Sequence, residues 1–315
     1  MAAPETPTVK PDNFPATYPP LIPTEPQLLA DDSYEQFVSA PKIVAVDTEL
    51  ARRIPTVTKK TLLDNGTGTG AMIIHAHEQG KLVHPFKVVG VDPDTKALDK
   101  AKAKLAFLGD AVELIEGKSE DLPVPSESVD VIIHANSSHL AKPIQKAFSE
   151  SFRVLKPGGE YHMIMAYEKK RSYAEGMEGR AWGLWISLVR EYLMERKGYK
   201  KEQFQSPVDL RQHTEEEMVQ MLKDEGFVEL ETEFVDVDMG PEEFVGIGNY
   251  HDFAEGALPG IPVEDAREAL VKTVPALFRR LNRDHEKDPA KPAVVKSTRR
   301  WFFVKAKTRC SGNIK

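Results

Sequence analysis

Residues 62–70 read LLDNGTGTG, and this stretch decides how the rest of the chain is interpreted. Its apolar start predicts a buried strand, and glycines at alternate positions, Gly66, Gly68 and Gly70, predict a tight loop that leads into a helix. Glycine is favoured where a ligand approaches the backbone and where the turn visits conformations closed to other residues. Gly66, Gly68 and Ala71 also satisfy the dinucleotide fingerprint G-x-G-x-x-G/A, so an NAD-dependent dehydrogenase is one hypothesis.

Two acidic residues near this loop help to separate the hypotheses. Asp92 ends the second predicted strand, where a carboxylate can accept both ribose hydroxyls of either kind of adenosine cofactor. Asp64 lies two residues before the first glycine, where its charge would repel a pyrophosphate and attract the ammonium group of an amino acid. Asp64 therefore favours S-adenosyl-L-methionine over NAD.

Apolar strand-like runs alternate with helical stretches after the loop. The runs are FKVVGVD, AVELIEG, VDVIIHA and EYHMIMA. Helical spacing gives each of two intervening stretches one apolar face, and these faces consist of Leu98, Ala101, Leu105 and Leu108, and of Ile144, Phe148, Phe152 and Leu155. This alternation predicts an α/β fold, with a mostly parallel sheet covered by helices on both faces.

The remaining segments divide the chain into seven predicted parts. Prolines without hydrophobic periodicity mark the start as an extended leader, and mixed aromatic and charged residues mark a helical lid. Helical spacing interrupted by Pro275 marks a long insertion before the last strand as a cap or an oligomer contact. The predicted parts are a leader (1–27), an N-terminal helical cap (28–58), a cofactor-binding core (59–167), an aromatic lid (168–212), a core continuation (213–239), the insertion (240–297), and the last strand with its tail (298–315).

Composition narrows the range of partners and compartments. The 315 residues carry a net charge of -7, which argues against extended binding to a nucleic acid backbone. A single cysteine, Cys310, cannot build a disulfide framework or a cysteine zinc site within one chain. The histidines lack a ligand spacing, and apolar stretches are short, so we expect no metal, no membrane segment and a cytoplasmic protein. The expected partner is a small-molecule acceptor, with a homodimer left open.

The ordered motifs resemble the class I S-adenosylmethionine-dependent methyltransferases, in particular the small-molecule branch similar to ubiquinone-biosynthesis and arsenite or sterol methyltransferases. The resemblance covers roughly residues 55–240. The motifs that carry it are LLDNGTGTG, VVGVDPDTKAL, GKSEDLPVPSESVDVIIHANSSHL and AFSESFRVLKPGGEYHMIM. It implies a Rossmann-like, doubly wound sheet of seven strands, mostly parallel with an antiparallel last strand, plus a helical cap.

The resemblance also implies roles for individual residues. The methionine moiety would lie against the loop, the ribose and one adenine face beside the second strand, and the sulfonium end near the fourth strand. These roles fall on Asp64, Gly66, Thr67 and Gly68 for methionine, on Asp92 and Pro93 for the ribose and adenine face, on Ser119 and Glu120 for the adenine edge, and on Asn136 for the sulfonium end. Lys118 departs from the family, which commonly has an acid there for the adenine amino group.

Several residues are candidates for contact with the methyl acceptor or for closure of the site. His139 is the best candidate for a general base because imidazole titrates near neutrality, although a structural role is an equal alternative. Tyr34 resembles aromatic residues that close over the cofactor in relatives, but it can also pack in a cap. Trp182 and Trp185 either line an apolar acceptor pocket or form one buried helix face.

The predicted function is transfer of the S-adenosyl-L-methionine methyl group to a small, apolar or aromatic metabolite. One alternative keeps the fold without methylation, as a regulatory protein or as a cyclase that uses the bound sulfonium as a fixed charge. The NAD-dependent dehydrogenase is the other alternative.

Overall fold

The computed structural model describes residues 26, 28–29, 34–167, 181–205, 213–282, 287 and 297–310. Most of the predicted leader, and the parts of the predicted lid at 168–180 and 206–212, lie outside these residues. The strands are β1 (Thr61–Asn65), β2 (Lys87–Asp92), β3 (Val112–Glu116), β4 (Val129–Ala135), β5 (Leu155–Tyr167), β6 (Val228–Met239) and β7 (Ser297–Lys307).

The α-helices cover the sheet and extend beyond it at one side. They are α1 (Glu35–Val38), α2 (Pro41–Arg53), α3 (Ala71–Glu78), α4 (Thr95–Leu105), α5 (Ile144–Val154), α6 (Ala181–Lys197), α7 (Glu215–Asp224), α8 (Pro241–Asn249), α9 (His251–Ala257) and α10 (Val263–Leu281). Among the described residues, no helix is long and apolar enough to cross a membrane.

The strands form one sheet in the order β3-β2-β1-β4-β5-β7-β6. β1 pairs in parallel with both β2 and β4, and β7 pairs antiparallel with both β5 and β6. The predicted seven-stranded, doubly wound sheet with an antiparallel last strand is therefore confirmed. Because strand order reverses between β1 and β4, a crevice opens at their carboxyl ends, which is where such sheets bind ligands.

Local signals in the sequence account for the helices next to the crevice. α4 begins at Asp94, whose side chain caps the helix by accepting from the Lys96 N–H, and its apolar face is buried at Leu98, Ala101 and Leu105. α5 ends at Val154, so Leu155, which was predicted to continue its apolar face, is instead the first residue of β5.

A second layer of helices packs over the crevice side of the molecule. α10 packs on α6 and α8, and α8 packs on α1, so the insertion and the N-terminal helices share one core. Pro275 lies within α10 without ending it, whereas its position predicted an interruption. The helix continues because the residues on either side of Pro275 pack into one core. These residues are Leu270, Val274, Leu277 and Phe278.

Candidate functional site

The glycine loop leaves the centre of the sheet through left-handed backbone conformations. Gly66, Gly68 and Gly70 have φ angles of 79°, 51° and 83°, a region that residues with a Cβ adopt at a cost. A Cβ on Gly66 would lie 2.2 Å from the Ser137 hydroxyl oxygen, whereas a Cβ on Gly68 would meet nothing within 4 Å. Gly66 is thus required by the protein's own packing, and Gly68 presents an open backbone surface.

Asp92 is held in place at the end of β2 by two backbone groups. One carboxylate oxygen accepts the N–H of Gly68 at 2.8 Å, and the other accepts the N–H of Asp94 at 2.9 Å. Burial raises the pKa of Asp92, and the two backbone hydrogen bonds oppose that shift. The next residue, Pro93, is exposed beside it.

Asp64 is 1% exposed at the carboxyl end of β1. One carboxylate oxygen accepts the Thr67 hydroxyl at 2.8 Å, and the other, Oδ1, is buried with no hydrogen-bond partner among the described residues. Burial, together with the charge of Asp92, raises the pKa of Asp64 to about 7. An acceptor of this kind is costly to bury unless something donates to it or neutralises it.

A hydrogen-bonded chain links β1 to the loops after β3 and β4. The Ser119 hydroxyl donates to Asn65 Oδ1 at 2.8 Å, and the Ser137 hydroxyl donates to the Asn65 carbonyl at 3.1 Å. Ser119 therefore joins the loop cluster. Glu120 turns away from it, because its carboxylate accepts the backbone N–H of Lys142 at 2.6 Å.

Asn136 connects the end of β4 to the helical layer. Its backbone is left-handed, with a φ angle of 53°. Its side-chain amide donates to Asp47 of α2 at 3.3 Å and accepts the indole N–H of Trp301 of β7 at 3.2 Å. Both functional groups of Asn136 are thereby fixed, and its side chain lies where the sheet, α2 and β7 meet.

Asp47 is a site residue that the sequence prediction missed. It is 2% exposed, and burial together with the charge of Asp64 raises its pKa to about 7. One signal marks it in the sequence: Ile43, Val46 and Leu50 form the buried face of α2, and Asp47 occupies that same face at helical spacing. An acid on an apolar helix face is expensive unless it has a function or a partner.

His134 lies within β4 and His139 follows it, and both are uncharged at neutral pH. Burial, and then the charge of Arg299, lowers the pKa of His139 to about 4, and its Nδ1 is buried without a partner among the described residues. Burial lowers the pKa of His134 to about 3, and its Nδ1 lies 3.0 Å from the Tyr161 hydroxyl. His134 is a core residue, whereas His139 lies in the short helical turn after β4, where the charge of Arg299 acts on it.

Tyr34 packs against the insertion. Its ring packs against Tyr250 at a centroid distance of 4.9 Å, and Tyr250 donates its hydroxyl to Asp252 at 2.7 Å. The charge of Asp252 helps to raise the pKa of Asp92. Burial, and then the charge of Asp47, raise the pKa of Tyr34. Tyr250 and Asp252 thus lie next to the predicted ribose carboxylate, although no local motif pointed to them.

The two tryptophans of α6 have different surroundings. Trp185 is fully buried, and its indole N–H donates to the Leu270 carbonyl and to the Thr273 hydroxyl, each at 3.1 Å. Trp182 is half-buried, and the Arg299 guanidinium lies 5.1 Å from its ring centroid. Trp185 is therefore a core residue, whereas Trp182 contacts Arg299, whose charge also acts on His139.

The residues at the crevice fit an S-adenosyl amino acid. The buried, unpartnered oxygen of Asp64 suits an ammonium donor, the open face of Gly68 admits a ligand against the backbone, and the fixed carboxylate of Asp92 suits ribose hydroxyls. A pyrophosphate would instead meet Asp64 and Asp47 in a buried, anionic environment. Among the described residues, no group of three His, Cys, Asp or Glu side chains could hold a metal ion.

Comparison with known proteins agrees with this geometry. The methyltransferase domain family model matches residues 62–159. The chain is 35% identical over 106 residues to 2-methyl-6-phytyl-1,4-hydroquinone methyltransferase 2, chloroplastic, of Oryza sativa subsp. japonica, and this match covers 34% of the chain and 29% of the relative. It is 39% identical over 103 residues to the arsenite methyltransferase of Halobacterium salinarum, covering 32% of the chain and 25% of the relative.

Residues 62–159 form a methyltransferase domain. The methyltransferase fold is shared with the YcgJ protein of Bacillus subtilis, at a TM-score of 0.51 and 15% identity, over 85% of this chain and 100% of that one. It is also shared with the Haemonchus contortus phosphoethanolamine N-methyltransferase 2 solved with S-adenosyl-L-methionine. That comparison gives a TM-score of 0.50 and 20% identity, over 88% of this chain and 56% of that one.

The prediction of a methyltransferase domain is confirmed over residues 62–159, and the Haemonchus contortus enzyme that shares the fold was solved with S-adenosyl-L-methionine bound. The matched domain is narrower than the 55–240 predicted from the motifs. It contains the glycine loop, Asp92, Ser119, Asn136 and His139, but neither Asp47 nor the insertion. The chain spans less than a third of the length of the two relatives described above.

Proposed function

We propose that this protein transfers the methyl group of S-adenosyl-L-methionine to a small, apolar or aromatic metabolite. The observation that carries the proposal is the buried Asp64 carboxylate at the mouth of the glycine loop, in one cluster with the fixed carboxylate of Asp92. This pairing offers one acceptor for an ammonium group and another for ribose hydroxyls, which is the chemistry of an S-adenosyl amino acid.

The bound cofactor supplies an electrophilic methyl group on a sulfonium. The protein's part is to position the two reactants and to exclude water, because methyl displacement requires an in-line approach and no nucleophile from the protein. Gly66, Thr67 and Gly68 hold the methionine end, while Asp92 and Pro93 hold the ribose and one adenine face. Ser119 lies along the adenine edge.

Residues at the other end of the site orient the acceptor. Asn136 is fixed between Asp47 and Trp301, so its position at the sulfonium end is rigid. His139 is neutral at pH 7, so its ring can accept a proton from the acceptor, but with a pKa lowered to about 4 it is a weaker base than an exposed imidazole. Tyr34 closes the cofactor side together with Tyr250.

The surroundings of His139 support an apolar or aromatic acceptor. The half-buried ring of Trp182 and the guanidinium of Arg299 lie at this edge, and both can pack against a flat, conjugated molecule. A net charge of -7 supports a small molecule over a nucleic acid, and a single cysteine supports a reducing compartment such as the cytoplasm.

The first test is isothermal titration with S-adenosylhomocysteine and, separately, with NAD. We expect binding in the micromolar range for the first and none for the second. Production of S-adenosylhomocysteine from S-adenosyl-L-methionine should then require an acceptor from a panel of quinols, phenols and other small aromatic molecules. Binding of NAD alone would replace this function with that of a dehydrogenase, and binding without turnover on any acceptor would favour a regulator or cyclase.

A further inference from the structure

β7 presents two adjacent arginines to opposite faces of the sheet. Successive side chains of a strand alternate in direction, so Arg299 shares a face with Trp301, and Arg300 lies on the other face. Trp301 belongs to the core shared with α6 and α10, whereas Arg300 lies 5.5 Å from the ring centroid of Phe234, which packs against the opposite core. Arg300 also forms a bidentate pair with Asp236 on β6. Arg299 is therefore the arginine that faces the helical layer.

The Arg299 guanidinium lies against two tryptophan rings. Its central carbon is 5.1 Å from the ring centroid of Trp182 on α6 and 5.8 Å from that of Trp301. Trp301 is 1% exposed, and its indole N–H donates to the side-chain oxygen of Asn136 at 3.2 Å. One tryptophan thus joins the Arg299 cation to Asn136, the residue proposed to face the sulfonium end.

Contact with aromatic rings leaves a guanidinium able to bind an anion. A guanidinium that stacks on a ring uses its flat face, because its five N–H donors lie in its plane and point outward from the edge. Two parallel N–H groups match the two oxygens of a carboxylate, and such a charge-assisted pair is strong and well oriented. The half-buried ring of Trp182 offers a flat molecule an apolar surface beside Arg299.

His139 adds a second polar group that lies under the influence of Arg299. Its Nδ1 is buried without a hydrogen-bond partner among the described residues, and burial and then the charge of Arg299 lower its pKa to about 4. The charge of Arg299 also acts on Tyr34. A cation in this position opposes the formation of an imidazolium and favours an anion, so this part of the site suits an acceptor that carries a negative charge.

The acids of the cofactor site limit how much charge such an acceptor can carry. Asp47 acts on Tyr34, as Arg299 does, and Asp64 acts on Asp47. A phosphate group with about two negative charges would be repelled by these acids more strongly than a carboxylate, which carries one. The surroundings of Arg299 therefore favour a carboxylate over a phosphate.

We propose that Arg299 selects the methyl acceptor by binding a carboxylate on a small aromatic molecule, whose ring lies beside Trp182. This inference rests on the proposed function, since it names the acceptor class of that same site. It assigns acceptor recognition to the last strand, outside the matched domain at 62–159.

The test measures the binding of acid and amide pairs to protein saturated with S-adenosylhomocysteine. The pairs are benzoate with benzamide, cinnamate with cinnamamide, and 1-naphthoate with 1-naphthamide, and each amide keeps the shape of its acid without the charge. Isothermal titration of the wild type should show at least one acid bound about tenfold more tightly than its amide, with a preference that shrinks as salt is raised. Arg299→Gln should lose this preference and keep its affinity for S-adenosylhomocysteine.

Two further variants separate the charge from its geometry and its position. Arg299→Lys keeps the positive charge but loses the planar pair of donors, so it should retain a weaker preference, and it serves as the test if Arg299→Gln does not fold. Arg300→Gln removes the neighbouring arginine on the other face of the sheet and should match the wild type.

The inference would be overturned by an acid preference that is unchanged in either Arg299 variant, or that is lost equally in Arg300→Gln. A wild type that binds S-adenosylhomocysteine but binds no acid more tightly than its amide would overturn it as well. A wild type that does not bind S-adenosylhomocysteine would instead overturn the proposed function.

Discussion

Gly68 donates its backbone N–H to the carboxylate of Asp92 at 2.8 Å, so the glycine loop and the end of β2 hold each other in position. A second N–H, from Asp94, fixes the other oxygen. The carboxylate is therefore oriented before any ribose arrives, and binding need not order it.

Replacement of Asp92 tests the ribose contact. In Asp92→Ala the two ribose hydroxyls lose a charged acceptor, and hydrogen bonds to charged groups each contribute about 1.5–3 kcal/mol. We expect S-adenosylhomocysteine to bind about 100-fold more weakly, or not at all, by isothermal titration. Asp99→Ala serves as the control. Full affinity in Asp92→Ala would contradict the assignment of the whole loop motif.

Two loop glycines should respond differently to the same substitution. Gly68→Ala adds a methyl group into open space, so the folded protein should lose only about 1 kcal/mol to left-handed strain. Its cofactor affinity should nevertheless fall, because the methyl group occupies the face offered to the ligand. Gly66→Ala should lower the unfolding temperature much more, since the new Cβ meets Ser137. Thermal unfolding together with titration separates the two, and unchanged affinity in Gly68→Ala would count against a ligand there.

His139 should matter for transfer and not for cofactor binding. If it accepts the acceptor's proton, His139→Ala should slow methyl transfer by roughly 100-fold or more while leaving S-adenosylhomocysteine affinity unchanged. Because its pKa is lowered to about 4, the wild-type rate should show no inflection from this residue near pH 6.5. Leu140→Ala, at an exposed neighbour, is the control. Equal rates in His139→Ala and wild type would remove His139 from the mechanism.

Asp47 should make the stability of the ligand-free protein depend on pH. Its pKa is about 7 in the folded chain and about 3.9 when unfolded, so the folded chain holds the proton more tightly. That contribution to stability is complete below pH 4 and is lost as the pH rises to about 7. We expect Asp47→Asn to be more stable than wild type at pH 8, by on the order of 1–3 kcal/mol, with little difference at pH 4. Chemical unfolding at both pH values measures this, and a variant less stable at pH 8 would refute it.

The two tryptophans of α6 offer a matched pair. Trp185→Ala should destabilise the protein by about 3–5 kcal/mol, because it opens a cavity and removes an indole donor from two buried acceptors. Trp182→Ala should cost much less and raise the KM for the acceptor, without changing the affinity for S-adenosylhomocysteine. Denaturant unfolding and steady-state kinetics distinguish them. A change in cofactor affinity alone in Trp182→Ala would place Trp182 elsewhere in the site.

The parts of the site that could be predicted are those whose signals are local. A strand followed by alternate glycines specifies the turn at Gly66, and the next strand end specifies Asp92. The alternation of strands and helices specified the sheet, because parallel strands need helical connections. Family resemblance added Ser119 and Asn136, which no spacing rule identifies.

The parts that could not be predicted depend on packing between distant segments. Asp47 meets Asn136 across 89 positions of sequence, and Trp301 meets the same residue across 165. Tyr250 approaches Tyr34 through the insertion, whose position over the crevice is set by contacts of α8 with α1. The one indication in the sequence was Asp47, a charged residue on the otherwise apolar face of α2.

The insertion begins and ends at one point of the sheet. Met239 of β6 and Ser297 of β7 are directly paired neighbours, so everything between them leaves and returns across a gap of roughly 5 Å. A segment of almost any length, or a plain hairpin turn, could therefore be exchanged there without altering strand order. Because Tyr250 packs against Tyr34 and the charge of Asp252 acts on Asp92 from this segment, transplanting it between homologous chains would change the cover of the predicted cofactor site on an unchanged scaffold.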